Sequence, residues 1–158
     1  TDYRLIKVKK RKNMGWFNYY GLIVIILIMI PNMVFAAKNK DGFENKYRNK
    51  TVEISEQIGR FACFGLMIFN IPRTYFGFWF PYAEIVYIVS NACLTAAYCI
   101  IWIILWKKNC LARSILLSVI PSLIFIISGV LLSDIPLMVF AAIFAPTHIL
   151  ISIKNAIL

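Results

Sequence analysis

Residues 21–30 read GLIVIILIMI, ten positions without one polar side chain. A helix built from them has no wet face, because apolar groups point in every direction around its axis. Working outward, the apolar run extends from Trp16 to Ala37. At ~1.5 Å per residue it is long enough to cross a hydrocarbon layer of ~30 Å. Four further apolar stretches follow, Gln57 to Ile71, Tyr82 to Trp106, Leu111 to Leu132 and Ile135 to Ile153. Together they fill most of the 158 residues and leave no soluble domain.

Lipid tolerates only chains that satisfy their own backbone, as helices or as closed barrels. These runs are too long for barrel strands and do not alternate in polarity. The expected fold class is therefore all-α, an integral membrane bundle of five transmembrane helices. Residues 1–15 form a basic cytoplasmic arm, and residues 16–158 a single helical transmembrane domain with a hydrophilic loop at 38–50.

The chain is 61% hydrophobic yet carries a net charge of +10. Most of the charge lies outside the spans or at their edges, in Arg4 to Lys12, in Lys38 to Lys50, and at Lys107, Lys108 and Arg113. Placed there, it sets topology and attracts anionic lipid headgroups. The expected partners are the lipid bilayer, anionic headgroups at the basic arm, and a second copy or another membrane protein; nucleic acid is not among them. The arm implies a multi-pass protein of the cell membrane with its N-terminus in the cytoplasm. Trp16, Phe17, Tyr19 and Tyr20 follow it as an interfacial belt. The first span reads as retained rather than cleaved. Heavy use of Ile, Lys and Asn points to an AT-rich bacterial genome.

Cys63, Cys93, Cys99 and Cys110 have no metal-ligand spacing, so neither metal nor cofactor is expected. No G-x-S-x-G, P-loop or H-E-x-x-H stretch occurs. Pro31 implies a kink or early stop in the first span. The second stretch is preceded by Glu53 and Glu56, begins with Gln57 and Arg60, and ends at Asn70-Ile71-Pro72. A re-entrant segment is the alternative to a full span there. The short connections after Trp106 and at Ser133-Asp134 force antiparallel hairpins. Ser114, Ser118, Ser122 and Gly129 supply a small-residue face for close helix contact.

Polar groups inside spans are expensive and mark functional candidates. Glu56 and Arg60 are four residues apart in the favourable order for a helical ion pair. They form either an interfacial salt bridge or a site for phosphate or carboxylate. Glu84, Tyr87, Asn91, Thr95, Tyr98 and Trp102 recur in steps of three or four, one polar stripe along the third span. Such a stripe faces protein or water, either as hydrogen-bonded glue between helices or as the wall of a cavity. His148, the only histidine, could exchange protons with Glu84 or Glu56, with Glu84 the favoured relay partner.

The candidate ligand-binding set is thus Glu56, Arg60, Glu84, Tyr87, Asn91 and His148. The function it suggests is binding or transport of a small polar or amphipathic molecule or ion. The alternatives are a lipid-acting membrane enzyme, with Glu84 or Glu56 as acid or base, and an accessory or immunity-type subunit.

Overall fold

The computed structural model describes residues 15–39, 45–108 and 110–158. The basic arm, apart from Gly15, and the middle of the 38–50 loop lie outside the described residues. Five helices follow one another: α1 (Tyr19–Lys38), α2 (Lys50–Ile68), α3 (Ala83–Ile104), α4 (Leu111–Leu132) and α5 (Ile135–Ile157). The described residues are otherwise turns, extended links and two isolated antiparallel bridges, Phe17 with Phe69 and Tyr75 with Asp134. Four helices, α1, α3, α4 and α5, are each long and apolar enough to cross a membrane.

Helix α2 is more polar, and its two ends are fixed at opposite ends of the bundle. At one end Asn18 N–H donates to the Ile68 carbonyl at 2.7 Å, and Asn70 N–H to the Trp16 carbonyl at 2.8 Å. The last turn of α2 is thereby fixed beside the first turn of α1. At the other end Asn155 Oδ1, near the close of α5, accepts from the Lys46 and Tyr47 amides at 3.1 and 3.0 Å. With 19 residues, α2 rises about 28 Å and runs the full height of the bundle. The Lys38–Lys50 loop and the Lys107-Lys108 turn therefore share one end, and the start of α1 lies at the other.

Three helices start on side-chain caps. Asn18 accepts from Gly21 N–H at 3.0 Å, Asn49 from Val52 N–H at 3.3 Å and Asp134 from Leu137 N–H at 3.0 Å. Each satisfies an amide that has no partner within its own helix. The early stop expected at Pro31 does not occur, and α1 continues to Lys38. Proline at 31 deprives the Leu27 carbonyl of its helical donor. The Cys99 thiol of α3 lies 3.9 Å from that oxygen, a replacement donor from the neighbouring helix.

The helices pack in the cyclic order α1, α2, α5, α4, α3 and back to α1. Helix α4 is the most enclosed, and α1 packs most sparsely on its neighbours. Phe125, Ile124, Phe144, Met67 and Trp102 fill the core between them. Small residues permit the closest approaches: Gly21 against the Met67 carbonyl, Gly59 against Phe144 and Gly129 against Met138. Ser118, Ser122 and Gly129 of the expected small-residue face are buried, while Ser114 is half-buried. The outer surface is apolar, with Ile23, Ile30, Ile54, Ile58, Phe61, Ile100 and Ile103 all exposed.

Two expected outcomes test this packing. A Cβ at position 21 would fall deep inside van der Waals reach of the Met67 carbonyl oxygen, so Gly21→Ala must push α1 off α2. A loss of about 1–3 kcal/mol is expected, read as a lower melting temperature in detergent. The Asp134 carboxyl is raised above its ordinary value, chiefly by burial, with the Leu137 amide opposing the shift. The folded chain then holds this proton more tightly than the unfolded one, and stability falls as pH rises from about 4. Asp134→Asn keeps the cap without the charge, so its melting temperature should exceed that of the unsubstituted chain at pH 7 and converge with it in acid.

Candidate functional site

Glu56 lies on the inner face of α2, one turn before Arg60 and in line with Gly59 and Cys63. Its side chain is 2% exposed. Three nitrogens from two side chains meet at one of its oxygens. Arg60 donates to Oε1 from Nε at 3.0 Å and from Nη2, and His148 Nδ1 of α5 lies 2.8 Å from the same atom. The His148 ring stacks on Phe144 at 4.6 Å with an interplanar angle of 19°. Phe144 itself packs against Gly59. The absence of a side chain at 59 is therefore what lets α5 come near enough for His148 to reach Glu56.

The cluster is not sealed. Arg60 is 35% exposed and His148 20%. Arg60 also lies within electrostatic reach of the Tyr98 hydroxyl on α3. A guanidinium has five N–H donors, and Glu56 engages two of its nitrogens. Further donors remain for an oxyanion in the bidentate geometry that arginine favours.

The relay expected between His148 and Glu84 does not form. Glu84 stands in the first turn of α3, whereas His148 lies 13 residues into α5, which starts at the same end of the bundle. Helical rise alone separates them by about 18 Å. The acid that reaches His148 is Glu56, the second of the two carboxylates considered from sequence.

The polar stripe of α3 points inward. Tyr87, Asn91, Thr95, Tyr98 and Trp102 are buried, and Glu84 is half-buried. Most of the stripe joins helices together. Tyr87 accepts from Asn18 Nδ2 at 2.9 Å, Asn91 Oδ1 accepts from Ser128 Oγ at 3.2 Å, and Tyr98 donates to Asn32 Oδ1 at 3.0 Å. Asn91 also donates to the Tyr87 carbonyl at 2.9 Å. Tyr87 and Asn91 are thus tied to α1 and α4, apart from the Glu56 cluster. The candidate set divides in three: Glu56, Arg60 and His148 together, Tyr87 and Asn91 in the interhelical network, and Glu84 near one end.

Two contributors escaped the sequence reading. Asn18 sits within the aromatic belt, yet it is fully buried, caps α1 and tethers Tyr87. Its signal was its place just before an apolar run, where Asn commonly caps a helix. Arg113 lies with its guanidinium carbon 5.0 Å above Phe35 and 5.8 Å from Trp102, closing the end of the core nearest the Lys107-Lys108 turn.

Among known proteins, no family model, no curated protein and no solved structure matches the chain. The geometry alone carries the functional argument.

Arg60→Glu should lower folded yield and cost about 2–4 kcal/mol, because it leaves two carboxylates facing each other across one helical turn. The double exchange Glu56→Arg with Arg60→Glu should recover only part of the loss. It restores the pair but sets a cation beside His148. Fluorescence-detected chromatography of the three variants checks the order.

Proposed function

We propose that this is a five-span membrane protein that binds or transports a small anionic or amphipathic molecule, with a proton, at the Arg60–Glu56–His148 cluster. The observation that carries the reading is the convergence of Arg60 and His148 on a single buried oxygen of Glu56. With a neutral imidazole the cluster has no net charge. An incoming phosphate or carboxylate competes with Glu56 for Arg60. A carboxylate stripped of its cation in lipid is costly, and a proton taken up by Glu56, directly or by way of His148, restores neutrality. Anion and proton then enter together.

The face of α2 opposite Glu56 supports the fifth span. Ile54, Ile58 and Phe61 are exposed at helical spacing, so α2 turns apolar groups outward and Glu56 inward. That arrangement suits lipid contact and would be wasteful in water. The basic arm ahead of α1 supports a cytoplasmic N-terminus and a cell-membrane location, since charges beside the first span usually dominate orientation.

The test is proton uptake by purified protein in weakly buffered detergent solution. Inorganic phosphate, acetate and dodecyl phosphate are added in turn, and a pH-sensitive dye reports the protons bound. At least one anion should draw close to one proton per chain. Glu56→Gln should abolish the uptake, and Arg60→Gln should weaken anion binding at least about tenfold, as expected for loss of a charged hydrogen bond. Uptake of no protons with all three anions, or unchanged uptake in Glu56→Gln, would overturn the proposal.

A further inference from the structure

The seam between α1 and α3 is sparsely packed and open to the outside. Two hollows of about 290 and 240 Å³ lie along it, and Leu27 and Cys99 line both. They form one groove. Its floor on α3 is made of small residues, Ala92, Ala96 and Cys99, and its walls are aliphatic, with Ile23 and Ile30 of α1 among them. From Trp106 to Ala92 the groove follows about 21 Å of α3 by helical rise. That exceeds the ~15 Å depth of one leaflet. A long, narrow, apolar channel of this kind fits an extended hydrocarbon chain.

Charge at one mouth specifies the rest of the molecule. Trp106 lines the groove at the end where α3 finishes. Lys38 Nζ lies 5.7 Å from the centre of the Trp106 ring, and Lys107 and Lys108 follow Trp106 directly, both exposed. Three cations thus stand at the end of the groove that Trp106 lines. The residues lining the far end, Tyr20 and Tyr87, are uncharged.

We infer that the α1/α3 seam binds one acyl chain of an anionic phospholipid, with its phosphate held by Lys38, Lys107 and Lys108. The site shares no residue with the Arg60–Glu56–His148 cluster. It rests on the membrane-spanning reading but not on the anion-binding one. A lipid here completes a ring that α1 alone covers poorly, and couples the position of α1 to the charge of the surrounding membrane.

Native mass spectrometry of the detergent-solubilised chain, titrated in parallel with dioleoyl phosphatidylglycerol and dioleoyl phosphatidylcholine, tests this. The anionic lipid should be retained in one copy and about tenfold more tightly than the zwitterionic one. Joint replacement of Lys38→Gln, Lys107→Gln and Lys108→Gln should bring the two lipids level. Ala96→Phe, which fills the groove from an exposed position, should weaken both, and Arg60→Gln should change neither. Equal retention of the two lipids by the unsubstituted chain would overturn the inference, and this comparison needs no variant to fold. So would a dimer mass that Ala96→Phe converts to monomer without altering the lipid count. The seam would then be a contact between two copies.

Discussion

A polar group in hydrocarbon has no water to turn to, and the architecture of this chain follows from that constraint. Backbone amides at three helix starts are met by Asn18, Asn49 and Asp134. The carbonyl released by Pro31 faces a cysteine thiol from the next helix. Side chains largely follow the same rule: Tyr87, Asn91 and Tyr98 of the α3 stripe turn inward and bond to α1 and α4. Large apolar side chains, Ile, Val and Leu above all, cover much of the outside.

Helix α2 is where this constraint acts most strongly. It is the most polar of the five described helices, and it buries the carboxylate of Glu56 beside Gly59, Cys63, Leu66 and Met67. Its charges are tolerable because they are paired with each other and with His148, and because Gly59 lets α5 close over them. Removing one member of such a group leaves a buried charge without its counter-charge, which costs far more than the intact cluster contributes. Clusters of this type hold helices in one register while remaining able to exchange partners. The Glu56 cluster joins α2 to α5, and the Tyr87–Asn91 network joins α3 to α1 and α4.

Much of the fold was legible in the chain itself. Runs such as residues 21–30 have no second interpretation, and the spans read from Leu111 to Leu132 and from Ile135 onward coincide with α4 and α5 at their starts. The spacing of Tyr87, Asn91, Thr95, Tyr98 and Trp102 announced one inward face, because 3.6-residue periodicity is a local property of the helix. The Glu56–Arg60 pair was equally visible, since four residues along a helix place two side chains together whatever surrounds them.

The remaining features depend on which helices become neighbours, and no local pattern encodes that. Position along the chain could not decide whether His148 meets Glu84 or Glu56. The answer came from direction: α3 and α5 start at the same end, so Glu84 and His148 stand at different depths, while antiparallel α2 brings Glu56 level with the histidine. Asn18 looked like part of a surface belt until the Ile68 and Tyr87 contacts buried it. The sequence by itself determined that this chain is helical, that most of its helices are apolar enough to cross a membrane, and which residues form its inward stripe, because hydropathy and helical period are properties of neighbours in the chain. Only the tertiary structure decided which polar groups share a site, because that depends on helix order, direction and depth.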